Sequence, residues 1–181
     1  MTRLWTGKGD DGTTGLLYGG RAAKSSPRLE AVGSVDEAQA AIGMARAEAE
    51  AGSELDGVLV GVERDLWVLM AELATDADHH DKLSPGQSLV TAEMVAGLEA
   101  TITEVASRFD LPQEFVVPGQ DRLSALLDLA RTVVRRAERA AQPVVATGSQ
   151  ALPYLNRLSS LLWTLARWAE DSPLPTRTVR P

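Results

Sequence analysis

The 181-residue chain is 44% apolar and 24% charged, a composition that suits one compact domain with a buried core and excludes a disordered chain. It contains no cysteine, which rules out disulfide scaffolds, thiolate zinc sites and cysteine nucleophiles and makes a reducing cytoplasm the expected setting. The net charge of −7 argues against nucleic acid and anionic membranes as partners, yet residues 1–46 sum to +1, 47–121 to −13 and 122–181 to +5, so either end can hold an anion.

Residues 1–33 are rich in glycine, threonine and charge and show no sustained apolar period, so they read as an irregular segment. Ser34 and Glu37 have the spacing of a capping box, which predicts a first helix running to about Ala51. Gly52-Ser53 breaks it. A second helix reads from about Glu54 to Ala74, with Leu55, Val58, Leu59, Val62, Leu66, Leu69, Met70 and Leu73 recurring at three and four. Asp76 to Gln87 reads as a polar loop. Within it, His79-His80 among Asp76, Asp78 and Asp81 reads as solvated, since adjacent side chains seldom converge on one ion.

A third helix fits about Thr91 to Phe109 and stops before Pro112. Phe115 to Gly119, short and apolar, reads as a buried linker. The fourth helix spans about Asp121 to Ala141 and the fifth about Leu152 to Glu170, where Pro153 is tolerated in the first turn. Met44, Met70 and Met94 are expected to fill core. No apolar stretch approaches the roughly 20 residues of a membrane span, and the N-terminus lacks a secretory pattern. The expected fold is all-α: one antiparallel five-helix bundle in a single domain, residues 1–181, with a glycine-rich N-terminal segment (1–33), a helical body (34–171) and a mobile tail (172–181).

Three constellations carry candidate chemistry. Gly7-Lys-Gly9-Asp-Asp-Gly12 matches G-x-G-x-x-G, but no strand precedes it and no βαβ unit follows, so the dinucleotide-fold reading fails. What remains, Thr6 to Gly15, offers close backbone N–H groups, hydroxyls and a lysine to phosphate oxygens, with Asp10 and Asp11 available to a metal ion; a flexible arm is the alternative. On the fourth helix, Leu126, Ala130, Val133, Val134 and Ala137 form a core face, while Arg131, Arg135 and Arg139 make an i, i+4, i+8 stripe away from it. Three guanidiniums on adjacent turns repel one another unless an anion or carboxylates lie between them, so the stripe is either an anion site or a solvated face partly paired with Glu138. On the fifth helix, Asn156, Ser160, Trp163 and Arg167 form a polar and aromatic seam beside the apolar face Leu155, Leu158, Leu162, Leu165 and Ala169, suited to a subunit contact or a bound ring.

Six segments in order then resemble the PduO-type ATP:cob(I)alamin adenosyltransferases: Thr6 to Leu16, Arg21 to Arg28, Gly33 to Glu37, Phe115 to Gly119, Arg131 to Arg139, and Asn156 to Ser159. The resemblance implies transfer of the 5′-deoxyadenosyl group of ATP to cob(I)alamin, in a homotrimer with active sites between subunits. It implies ATP contacts at Thr6, Gly7, Lys8, Gly9, Asp10, Thr14, Gly15, Lys24, Arg135, Arg136, Ala137, Glu138, Arg139 and Asn156, with Mg²⁺ on the phosphates. Asp36 would pair with Arg131 across the interface, and Asp36, Arg131, Arg135 and Glu138 would form the catalytic group. Phe115, Gln120 and Trp163 would meet cobalamin, Phe115 on the lower corrin face, and a reductase and a cobalamin-dependent acceptor enzyme would be partners.

The sequence also departs from the family's usual pattern. It has Gly7 in place of a basic residue, Gln39 in place of Asn, Gln120 in place of a second Gly and Ser160 in place of Asp. A non-catalytic cobalamin or nucleotide carrier or sensor therefore stays open beside the active enzyme.

Overall fold

A computed structural model describes residues 4–170 and 172–178. The N-terminal segment folds into a small hairpin, β1 (Thr13–Gly15) against β2 (Arg21–Ala23), antiparallel with Thr14 opposite Ala22. Five helices follow: α1 (Pro27–Arg46), α2 (Glu54–Leu73), α3 (Ala92–Ala106), α4 (Arg122–Ala141) and α5 (Ala151–Ala169). β3 (Val116–Val117) precedes α4, and β4 (Leu174–Pro175) follows α5 and pairs with β3. The all-α expectation stands. Helix α1 packs on α2 and α4, α4 on α5, and α5 on α3.

Helices α2 to α5 fall within a few residues of the sequence reading; side-chain caps open α2, α3 and α4, whereas Gln150 before α5 makes no side-chain cap bond. Ser53, Thr91 and Asp121 each accept a hydrogen bond from a backbone N–H of the first turn, and Asp121 forms a reciprocal capping box with Ser124. Helix α1 differs. It begins at Pro27, seven residues before Ser34, and ends at Arg46 rather than near Ala51. Its cap is Ser26, which accepts from Leu29 N at 3.4 Å, with Pro27 in the first turn where its missing N–H costs nothing. Ser34 is buried mid-helix, so the Ser34–Glu37 capping box does not form. The helical body thus starts inside the segment assigned to the N-terminal arm, and Ala31 is already fully buried.

The core is one cluster of leucines, valines and alanines from all five helices, with Ile42, Leu59, Leu66, Leu127, Leu155, Leu158, Leu162 and Leu165 withdrawn from solvent. Each fully buried Leu contributes roughly 1.5–3 kcal/mol. Met70 and Met94 pack against this core, but Met44 is exposed and does not. Buried polar side chains fasten the loops. Glu72 accepts from Val90 N at 2.8 Å and from Ser149 Oγ at 2.5 Å, tying the loops before α3 and α5 to the end of α2. Arg28 donates to the carbonyls of Leu73 and Thr75, satisfying the C-terminal end of the same helix.

Two further expectations are corrected. Phe115 to Gly119 is not a buried linker: Phe115 is 89% exposed and Pro118 to Gln120 are exposed, because the segment is a short edge strand with one face to solvent. The tail is not free over its described part. Val116 sits opposite Pro175 and Val117 opposite Leu174, and Thr176 donates from both its N (2.8 Å) and its Oγ1 (2.9 Å) to the carbonyl oxygen of Phe115. Asp171 and residues 179–181 lie outside the described residues. Among those described, no helix is long and apolar enough to cross a membrane.

Candidate functional site

The glycine-rich segment is a structured turn. Asp10 N donates to Gly7 O and Gly12 N to Gly9 O, and Lys24 N closes the hairpin on Gly12 O at 2.9 Å. Gly7 and Gly12 sit at φ +70° and +80°, where side chains are strained. At Gly9 a Cβ would lie 3.0 Å from Lys24 Nζ and 3.1 Å from Thr13 O, so a side chain there would crowd the lysine that crosses the loop. Arg21, which sequence reasoning gave no role, braces the turn from β2, donating to Lys8 O at 2.6 Å and to Thr13 Oγ1.

Asp11 is committed inside this hairpin. Its Oδ1 accepts from Thr13 N (2.9 Å) and Thr13 Oγ1 (2.8 Å), and those bonds together with Arg21 hold its carboxyl below the usual carboxylate range. Its Oδ1 therefore acts as a hairpin clamp. Asp10 stays exposed, and no three His, Cys, Asp or Glu side chains converge as a metal site among the described residues. That includes His79 and His80, which lie in a short 3-10 helix, Ala77–Lys82.

Helix α4 presents its arginines unequally. Arg135 and Arg139 are exposed, with Arg139 donating to Arg135 O at 2.9 Å. Arg131 is only 28% exposed and binds Asp128 Oδ1 through Nε at 3.2 Å. Arg136 pairs with Glu37 of α1, while Asp36 beside it is exposed. Glu138 does not neutralise the stripe. It accepts from Asn156 Nδ2 at 3.1 Å, locking the α5 amide against α4. Ala137 is fully buried and faces the core. Among the described residues no carboxylate pairs with Lys8, Lys24, Arg135 or Arg139, so each chain end keeps two cations uncompensated there.

Two cavities flank the middle of α4 and α5. The larger, about 630 Å³, lies between the Phe115 strand, the tail and the helices, and its lining includes Phe115, Arg131, Trp163 and Arg167. The smaller, about 420 Å³, takes in Arg131, Arg135, Ser160 and Trp163. Arg131 and Trp163 line both. At the larger cavity Arg167 Nε is buried without a hydrogen-bond partner among the described residues, while Glu114 Oε2, also without a hydrogen bond, faces Arg177 Nε across 3.5 Å as an ion pair. Gln120 is exposed and lines neither cavity. Ser160 opens onto the smaller one, and Gln39 keeps a buried, unpartnered Oε1 on α1.

The structure therefore groups Phe115 with Trp163 and Arg131, and Arg135 with Ser160. It does not bring the glycine-rich loop to the arginine stripe: no hydrogen bond or ion pair joins residues 6–24 to Arg131, Arg135 or Arg139 among the described residues.

Residues 4–169 match the cobalamin adenosyltransferase family. The chain belongs to that family. It is 41% identical over 174 residues to the corrinoid adenosyltransferase of Mycobacterium tuberculosis, covering 93% of this chain and 89% of that protein. It is 37% identical over 172 residues to the PduO corrinoid adenosyltransferase of Salmonella typhimurium, spanning 50% of that longer chain. Among solved structures, a variant PduO-type ATP:corrinoid adenosyltransferase from Lactobacillus reuteri, complexed with cobalamin and ATP, superposes with a TM-score of 0.84 at 26% identity. The match covers 97% of this chain and 99% of that one. Asp128, Glu114 and Thr176, which the sequence reading left out of the site, belong to the larger cavity beside Arg167 of the α5 seam. The i, i+3 spacing of Asp128 and Arg131 is the one local signal that could have found the first of them.

Proposed function

We infer that the chain works as an ATP:corrinoid adenosyltransferase. It moves the 5′-deoxyadenosyl group of ATP to cob(I)alamin, giving adenosylcobalamin and triphosphate. The observation that carries this reading is the aromatic cavity under Phe115, joined through Arg131 and Trp163 to a second cavity that holds the unpaired Arg135. A large flat ring fits the first kind of lining and a polyphosphate the second. Membership of the family and the likeness to a cobalamin- and ATP-bound relative support it.

The chemistry needs no protein nucleophile. The cobalt(I) lone pair of the substrate attacks C5′ of ATP, the C5′–O bond breaks, and its electrons leave with triphosphate. The protein's part is alignment, exclusion of water and charge stabilisation on the leaving group. Arg135, Arg139, Lys8 and Lys24 are the cations free to meet that charge. Thr6, Gly7, Gly9, Asp10, Thr14 and Gly15 supply the loop's backbone N–H groups and hydroxyls, and Glu138 holds Asn156 for the nucleotide. Arg136 reaches the site only by exchanging Glu37, and buried Ala137 acts through packing. Phe115, exposed on a pinned backbone, covers the lower corrin face and keeps an axial ligand off cobalt, with Trp163 beside it.

Because the loop and the stripe do not meet within one chain, the proposal includes a homotrimer in which the loop of one subunit serves the stripe of the next, with Asp36 at the contact. Mg²⁺ enters as the counter-ion of the ATP phosphates; among the described residues no donor set forms a protein cage for it. Residues 1–181 act as a single domain in the cytoplasm, in keeping with a cysteine-free chain.

The test is anaerobic mixing of the protein with ATP, Mg²⁺ and chemically reduced cobalamin, following the corrin spectrum and assaying triphosphate. Stoichiometric adenosylcobalamin and triphosphate are expected. Binding of both ligands without product would reduce the protein to a carrier, and no binding would overturn the reading.

A further inference from the structure

Asp128 lines the larger cavity, yet the function proposed above gives it no role. It lies on α4 three residues before Arg131, and its carboxylate is 5% exposed. Oδ1 accepts from Arg131 Nε at 3.2 Å, and Oδ2 accepts from Arg167 Nη2 at 2.6 Å. Arg167 is held in turn by Glu170 Oε1 at 2.7 Å and lies 5.8 Å from the centre of the Trp163 ring. The side chains of Arg167 and Glu170 are 1% and 0% exposed. Two guanidiniums and two carboxylates thus close a chain of charge across α4 and the end of α5. Its one solvent-facing member is Arg131.

An arginine in a cavity wall has many rotamers, and its direction must be set by something fixed. A buried carboxylate clamped from behind by a second arginine is such a fixture. The bond to Asp128 uses only Nε, so among the described residues both Nη groups of Arg131 stay free for a ligand or a neighbouring subunit. Arg131 also lines both cavities, where a change of rotamer would alter two compartments at once.

We propose that Asp128, clamped by Arg167 and Glu170, is a positioning residue that holds Arg131 in the wall between the two cavities from within its own chain. The orientation of Arg131 then precedes any contact with Asp36 of a neighbour. What the held arginine is for rests on the function proposed above; that it is held does not.

The test is made first without ligand, on the arginine Nε–H signals of the full chain in ¹H–¹⁵N spectra. The signal that disappears in Arg131→Met identifies Arg131. In the wild type it is expected to be sharp and slow to exchange with solvent, and in Asp128→Asn to broaden and exchange at least tenfold faster. The Nε–H signals of Arg46 and Arg157, bonded to Asp56 and Glu99, serve as controls and stay unchanged. If Asp36→Asn frees the Arg131 signal and Asp128→Asn leaves it protected, the proposal is overturned. Should Asp128→Asn fail to fold, Asp128→Glu moves the carboxylate by one methylene and must shift or broaden the same signal; an unaltered signal overturns the proposal.

Under adenosylation conditions, Asp128→Asn is expected to lower kcat/KM about tenfold in the wild type and less than twofold in the Arg131→Met background. An equal loss in both backgrounds would mean that Asp128 acts on stability alone, and would also overturn it. Failure of the wild type to adenosylate would sink the functional reading while leaving the spectroscopic result to decide this one.

Discussion

Arg135→Ala separates a functional arginine from a structural one, because the structure gives Arg135 no carboxylate to lose. Its guanidinium is exposed and pairs with none among the described residues. Folding stability should therefore change by no more than about 0.5 kcal/mol, the usual range for a surface substitution away from caps and networks. The activity cost follows from what the side chain is free to do. Removing one preorganised donor from a developing negative charge lowers kcat about 10²–10³-fold, and on the proposed function triphosphate departure would concentrate charge where Arg135 borders the smaller cavity. We expect a fall of that size in single-turnover adenosylation, with the melting temperature within about 2 °C of wild type. Arg136→Ala is the internal contrast, since it breaks an existing pair with Glu37 and should show a smaller kinetic loss. His79→Ala, in the 3-10 helix between α2 and α3, should show none. An Arg135→Ala enzyme within threefold of wild type, or one whose loss merely tracks a lower melting temperature, would refute the reasoning.

Glu72→Ala strands two donors, Val90 N and Ser149 Oγ, around a side chain that is 4% exposed; at about 1–3 kcal/mol per stranded group, differential scanning calorimetry should show a melting point lower by at least about 4 °C, with adenosylation by the folded fraction unchanged. Tyr154→Phe removes the 2.9 Å bond to Asp65. Burial already raises the Asp65 carboxyl above its usual range, with that bond and Arg64 opposing the rise. A raised carboxyl favours the folded state at low pH and loses that contribution as pH rises through the folded value. Because the substitution raises it further, urea melts should show a larger deficit at pH 8 than at pH 4, about 1–2 kcal/mol at the higher pH; a deficit greater at pH 4 would contradict the assignment. Thr176→Val deletes one of two bonds to Phe115 O, so amide exchange at Val116 and Val117 should quicken severalfold while the helices keep their protection.

The parts of the fold legible in the sequence were those fixed by local chemistry. Apolar spacing and caps at Ser53, Thr91 and Asp121 bound α2 to α4. The start of α1 was misread because Gly33 and Ser34 look like a break, whereas the Ser26-Pro27 pair is the true entrance and helix–helix packing carries the chain past the glycine. The tail was illegible for a different reason. Its strand is two residues long and finds its partner 58 positions earlier in sequence, a pairing with no local signal. Asp128 falls at about 200° from Leu126 on a helical projection, opposite the apolar face, and is buried only because α5 supplies Arg167 and the Phe115 segment folds over them. A projection of one helix cannot register a second covering layer.

The same distinction explains how an acidic chain carries an anion site. Acidic residues of α2 and α3 are partly spent on arginines: Asp56 and Glu63 on Arg46, Glu54 and Glu104 on Arg108, Glu99 on Arg157. Each such pair is worth little to stability at an exposed surface, but each removes a carboxylate from competition for the remaining cations. Among the described residues, Lys8, Lys24, Arg135 and Arg139 are left with none. Screening confines their field to roughly 8–10 Å at physiological salt, so the net charge of −7 governs what approaches from afar while these four govern what is held in contact. A polyanion as long as nucleic acid meets the acidic body and is repelled. On the proposed function, a triphosphate is short enough to be held between the loop of one subunit and the stripe of the next without meeting the acidic body, and that difference in length, rather than net charge, would select a nucleotide over a nucleic acid.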